Sequence, residues 1–192
     1  MTRAFLKSLK GRETQNLILR SAWLILLAAA ILTVAGCYET DVEVINASSA
    51  AAVYGLPGTY NKESGGTMTI SAVPDSNDYR FRDVSKEGTA STGYIRAVPL
   101  RDNLYIVQVK YDNDAIYYLL FYQFTYDSSG AHYRELEAKA EEKRLDQIAQ
   151  QYSVKIDWDS FDFVPYLSGS SSNILAFLRA HASLSFSSST AK

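Results

Sequence analysis

Several residue groups in this chain could do chemistry. They are the acidic run Asp157-Trp158-Asp159-Ser160-Phe161-Asp162, the two histidines His132 and His181, the pair Gly65-Gly66, a large set of serines, and one cysteine, Cys37. Carboxylates spaced as in 157–162 could hold calcium, which takes six to eight oxygens. The run has no central glycine and no closing Glu at EF-hand spacing, so a surface turn is favoured. Neither histidine has a helper at ligand spacing, which leaves no transition-metal site to name. No Gly-x-Ser-x-Gly elbow marks a nucleophilic serine. Gly65-Gly66 precedes a strand pattern rather than a helix, so it reads as a turn and not a phosphate cradle. The expectation is a non-catalytic protein with no metal and no cofactor.

Cys37 closes the tetrapeptide Val34-Ala35-Gly36-Cys37, directly behind an apolar run. A lone cysteine in an exported protein could be a free thiol or form an intermolecular disulfide. Its position favours a third reading, because the segment resembles the signal peptide and lipobox of bacterial lipoproteins. Arg3, Lys7, Lys10, Arg12 and Arg20 stand against one acid, Glu13, before the uncharged stretch Ala22–Ala35. That is the order of a secretory signal. Fourteen helical residues rise about 21 Å against a bilayer core of about 30 Å, too short to span. No Arg-Arg pair is present, which points to the general secretion route. The resemblance implies cleavage before Cys37, a thioether-linked diacylglycerol and palmitate-type acyl chains on that residue. Val34 replaces the commoner Leu of the pattern. Tyr38 follows the cysteine instead of Asp, which implies the outer membrane, facing the periplasm, if the cell is diderm.

Removal of residues 1–36 leaves 156 residues, enough for one domain with a proper core. The remainder holds 14 Lys and Arg against 20 Asp and Glu, a net charge of about −6. This balance argues against nucleic acid and against electrostatic docking on anionic lipid. With Cys37 acylated, no disulfide can staple the domain, and packing alone must hold it. The expected division is a signal peptide 1–36, an acylated tether 37–52, one β-rich domain 53–186 and a polar tail 187–192. The tether rests on the small-residue stretch Ala47-Ser48-Ser49-Ala50-Ala51-Ala52.

Alternation predicts strands over Thr67–Val73 and Tyr79–Arg82, then Thr92–Val98 ended by Pro99, Leu104–Tyr111, Ala115–Tyr126 and Ala131–Ala138. Polar turns separate them, the pattern of an antiparallel meander. The period then changes. Leu145, Ile148, Ala149 and Tyr152 form one helical stripe, Val154–Ile156 a short extended piece, and Ser170–Ser172 an N-cap for a helix over Asn173–Ala182. The fold class is therefore α+β, mainly antiparallel β: a curled meander sheet or incomplete barrel with two C-terminal helices.

Fourteen tyrosines and eight phenylalanines suit half-buried strands. Strand 115–126 is apolar on both faces, with Tyr118, Leu120, Tyr122 and Phe124 the candidate lining of a small apolar ligand site. Gly58-Thr59-Tyr60 faintly resembles the Gly-x-Trp that opens lipocalin barrels. That resemblance implies a lipocalin-like shape and carries no ligand across. The leading expectation is a membrane-tethered binding or interaction module. A carrier of a small apolar ligand and an inhibitor of an envelope-targeting protein are the alternatives. A protein partner or an apolar ligand is open, as is the oligomeric state.

Overall fold

A computed structural model of the chain describes residues 37–62, 64–127, 130–136, 140–158 and 164–186, all within one compact unit. The expected signal peptide, Val34-Ala35-Gly36, the Ser128-Ser129 turn, residues 159–162 of the acidic run and the polar tail lie outside the described residues.

The alternating segments become strands. In chain order they are β1 (Tyr38–Thr40), β2 (Gly58–Asn61), β3 (Thr67–Ala72), β4 (Tyr79–Val84), β5 (Ala90–Arg101), β6 (Leu104–Tyr111), β7 (Tyr117–Asp127) and β8 (Gly130–Glu135). They are followed by helix α1 (Glu142–Gln151), β9 (Lys155–Asp157), β10 (Tyr166–Ser168) and helix α2 (Ser171–Phe186). One sheet runs in the order β2-β3-β4-β5-β6-β7-β1-β10-β9. Its end strands do not pair, so it is open and curled rather than a closed barrel. β7 is shared: Tyr38 of β1 pairs with Leu119 on one stretch, and Glu135 of β8 pairs with Tyr122 further along. Pro99 does not end β5. It sits beside a register shift before Arg101, where the missing N–H costs no ladder bond. Asp102 and Asn103 both take positive φ in the tight turn between β5 and β6.

Each face of the sheet carries its own core. On one, called here the helix face, Tyr38, Val98, Ile106, Leu119 and Phe121 pack against Leu145 and Ala149 of α1 and Ile174, Phe177 and Leu178 of α2. Ser170 caps α2, its hydroxyl accepting from the Asn173 N–H at 3.3 Å. On the other face, Ile70, Tyr79, Phe81, Ile95, Ala97, Val107 and Phe124 form a second core. β6 and β7 alternate between the two, which explains why both faces of β7 read as apolar. Gly93 in β5 permits a close approach, since a Cβ there would lie 2.6 Å from the Phe81 ring and 2.1 Å from the Lys110 carbonyl oxygen.

The tether expected over 37–52 is part of the fold. Tyr38 is fully buried, edge-on to Phe177 and His181, and its hydroxyl shares a 2.9 Å hydrogen bond with His181 Nδ1. Val44, Ile45 and Ala50 belong to the helix-face core, whereas Val53 and Leu56 belong to the other. Residues 41–57 thus form a strap from one core to the other. It passes the edge of β5, where the Ala51 N–H donates to the Ala97 carbonyl at 2.8 Å. Buried Gln108 holds it, accepting from the Val44 and Ile45 N–H groups at 2.8 Å each and donating to the Ile45 carbonyl at 3.1 Å. Arg96 forks onto Asp78 at 2.8 and 2.9 Å and also reaches Glu43 of the strap. The small residues Ala47–Ala52 make the segment read as linker, although Ala50 is buried in the helix-face core.

Candidate functional site

Two places in the fold bear on function. The first is Cys37, half-buried and immediately before β1. Register with β7 sets it level with Leu120, between Glu39 opposite Tyr118 and Glu135 opposite Tyr122. Burial, helped by the charges of Glu135 and Glu39, pushes its thiol up to about 12. In the folded domain it is therefore a poor nucleophile and a poor metal ligand.

The second is a hollow on the face opposite the helices. Met68 and Ile70 of β3, Phe81 of β4, Ile95 of β5, Val107, Val109 and Tyr111 of β6 and Tyr122 and Phe124 of β7 line it, with Leu56 of the strap at its edge. Its volume is about 100 Å³. The rings brace one another: Phe81 and Tyr111 meet edge to face at 5.2 Å, and Tyr105 and Phe124 do so at 5.4 Å. Burial raises the pKa of Tyr111, with the charge of Asp83 adding to it, so its phenol stays neutral. The lining holds no carboxylate, histidine, serine or cysteine. Such a hollow can bind an apolar group, but it has no group to move a proton at neutral pH.

Of the four lining residues expected from sequence, Tyr122 and Phe124 line this hollow. Tyr118 and Leu120 share their face of β7 but lie outside it. Tyr118 packs edge-on to Tyr111 at 5.9 Å, and its hydroxyl donates to Asp114 Oδ2 at 2.8 Å. Leu120 is half-buried opposite Val107 and level with Cys37. The other lining residues carry a signal that sequence shows, since Met68, Ile70, Val107 and Val109 each fall on an alternating apolar face. Which faces converge is decided by the curl of the sheet.

The remaining chemical candidates are dispersed. His132 is exposed on β8, while His181 is buried against Tyr38. Asp157 is exposed on β9. Gly65 and Gly66 take φ of 85° and 88° in the turn between β2 and β3, and a Cβ on Gly66 would stand 2.1 Å from the Val84 carbonyl oxygen. Among the described residues no group of three His, Cys, Asp or Glu is placed to hold a metal, and no helix is long and apolar enough to cross a membrane. Comparison with known proteins returns no match: no family model, no characterised protein and no solved structure is significantly similar to the chain.

Proposed function

We propose that the protein is an envelope lipoprotein, acylated at Cys37, whose domain is a non-catalytic binding module seated directly on the membrane surface. The observation that carries the reading is the apolar hollow: an accessible aromatic-lined concavity without catalytic groups, on the sheet face the helices leave uncovered. The anchor reading rests on the Val34-Ala35-Gly36-Cys37 segment behind its apolar run; with β1 starting at Tyr38, an anchor there would join the fold without a spacer.

Size separates a module from a carrier. Sites for drug-sized ligands occupy about 300–1,000 Å³, whereas this hollow is about 100 Å³. An apolar cavity of about 150 Å³ takes benzene, so the fitting occupant is a single apolar side chain presented by a protein partner. Native mass spectrometry of the domain from Tyr38 onward, expressed in a bacterial periplasm, tests this. The module reading predicts a clean apo mass. A persistent extra mass lost on organic extraction would replace it with the carrier reading.

A further inference from the structure

Positive charge is unevenly neutralised over the domain. Carboxylates hold Arg80 and Arg96. Arg82, Arg101, Arg134, Arg144 and Arg179 form no ion pair among the described residues, and of these Arg101, Arg134 and Arg179 gather at one end of the sheet. Strand register sets Arg101, Leu104, Gln123 and Arg134 in one row across β5, β6, β7 and β8. Arg179 and Ser183 of α2, with Arg101 and Leu104, line a groove of about 550 Å³ beside that row. Arg101 donates to the Phe186 carbonyl and Arg134 to Gln123 Oε1 at 3.3 Å, which leaves most of their N–H groups available. Two neighbouring acids do not cancel this charge. Asp102 is a single carboxylate in the adjoining turn, and Glu135 pairs with Tyr122 on the opposite face.

The row lies at the end of the sheet to which the chain leads on going from Tyr38 back to Cys37, on the face opposite the Cys37 side chain. β1 runs antiparallel to β7 with Cys37 level with Leu120, three residues, or about 10 Å, from Gln123. The net acidity of the chain does not oppose a local cationic surface here, because exposed charges are screened beyond about 8 Å.

We infer that Arg101, Arg134 and Arg179 form a phosphate-binding seat for the headgroups of anionic phospholipid in the membrane that carries the anchor. Guanidinium forks match phosphate oxygens in geometry and charge. The inference rests on the anchor reading for the source of the phosphate. The chemistry of the groove stands apart from it.

The test uses the full chain in neutral-detergent micelles, titrated with soluble short-chain phosphatidylglycerol, phosphatidylcholine or inorganic phosphate, with the shift in melting temperature as readout. Phosphatidylglycerol is expected to raise the melting temperature, and phosphatidylcholine and inorganic phosphate to do much less at equal concentration. Affinity should fall about fivefold for each arginine removed. Arg134→Gln/Arg179→Gln is the informative variant because it leaves the Arg101–Phe186 contact intact. Equal binding by that variant, an equal response to phosphatidylcholine, or no response at all would overturn the headgroup seat. Inorganic phosphate matching the lipid would also overturn it, in favour of a free-phosphate site. The intact mass of the same sample reports Cys37 separately. Binding by an unacylated chain sinks only the anchor, and an acylated chain without binding sinks only the seat.

Discussion

Truncation of Tyr38 distinguishes a segment built into the fold from a loose linker. In a tether, Tyr38→Ala would change stability by no more than about 0.5 kcal/mol, as surface substitutions do. In the fold described here Tyr38 is fully buried, in edge contact with Phe177 at 5.8 Å and His181 at 5.7 Å, and bonded to His181 Nδ1. Removing a buried aromatic ring costs about 3–5 kcal/mol. For a domain of this size each kcal/mol moves the melting temperature by about 2–4 °C, so the expected drop is roughly 6–20 °C. Tyr38→Phe keeps the ring and loses only the hydroxyl, leaving the imidazole nitrogen buried without its partner at a cost of about 1–3 kcal/mol. Thermal unfolding followed by near-ultraviolet circular dichroism reads both variants against the parent. A Tyr38→Ala melting temperature within about 2 °C of the parent would refute the placement of β1 in the sheet.

Other perturbations test separate parts of the account. Cys37 in unacylated chain made without membranes should react with iodoacetamide at pH 8 about 10³-fold more slowly folded than in denaturant, because a thiol near 12 is about 10⁻⁴ ionised there and one near 9 about 10⁻¹. Since folding raises that thiol, the unacylated chain should also lose stability as pH rises above about 9, a loss that acylation abolishes. Gln108→Leu should destabilise by about 2–4 kcal/mol in urea titration, because the Val44 and Ile45 N–H groups lose their acceptor inside the core; a loss below 0.5 kcal/mol would contradict the strap. Hydrogen bonds from the Ile116 N–H and the Tyr118 hydroxyl hold Asp114 below its ordinary value. Its contribution is therefore present above about pH 4 and lost as pH falls through the lowered value, so Asp114→Asn should flatten the acid limb of the stability profile.

The antiparallel meander was legible because its signal is local. Met68 and Ile70, Tyr79 and Phe81, and Val107 and Val109 announce their faces by alternation within a few residues, and Leu145 and Ala149 announce a helix by their spacing. β1 was not legible for the opposite reason. Tyr38-Glu39-Thr40 is too short to show a period, and its burial comes from β7 and β10, some eighty and one hundred and thirty residues away. Gln108 carries no local signal of its role, because the Val44 and Ile45 backbone groups that its side chain serves are more than sixty residues away. Pro99 reads as a stop, yet a bulge absorbs it. At the hollow, the aromatic character of β7 pointed to Tyr122 and Phe124. The curl that sets Tyr118 and Leu120 outside is a property of the whole sheet and leaves no mark on a single strand.

If Cys37 carries the proposed acyl anchor, the lack of a spacer before β1 restricts the freedom of the domain at the membrane. Since β1 sits between β7 and β10, an acyl chain on Cys37 fixes which end of the sheet approaches the bilayer. In that case the apolar hollow would be held at a defined height above it, where the proposed envelope partners could reach it. The covalent state of Cys37 decides between an anchored and a free domain, and intact-peptide mass spectrometry of the chain purified from bacterial membranes reads that state directly. The account predicts an N-terminal peptide that begins at Cys37 and carries the mass of a diacylglyceryl group. A peptide running through Ala35-Gly36 into a free Cys37 thiol would contradict it.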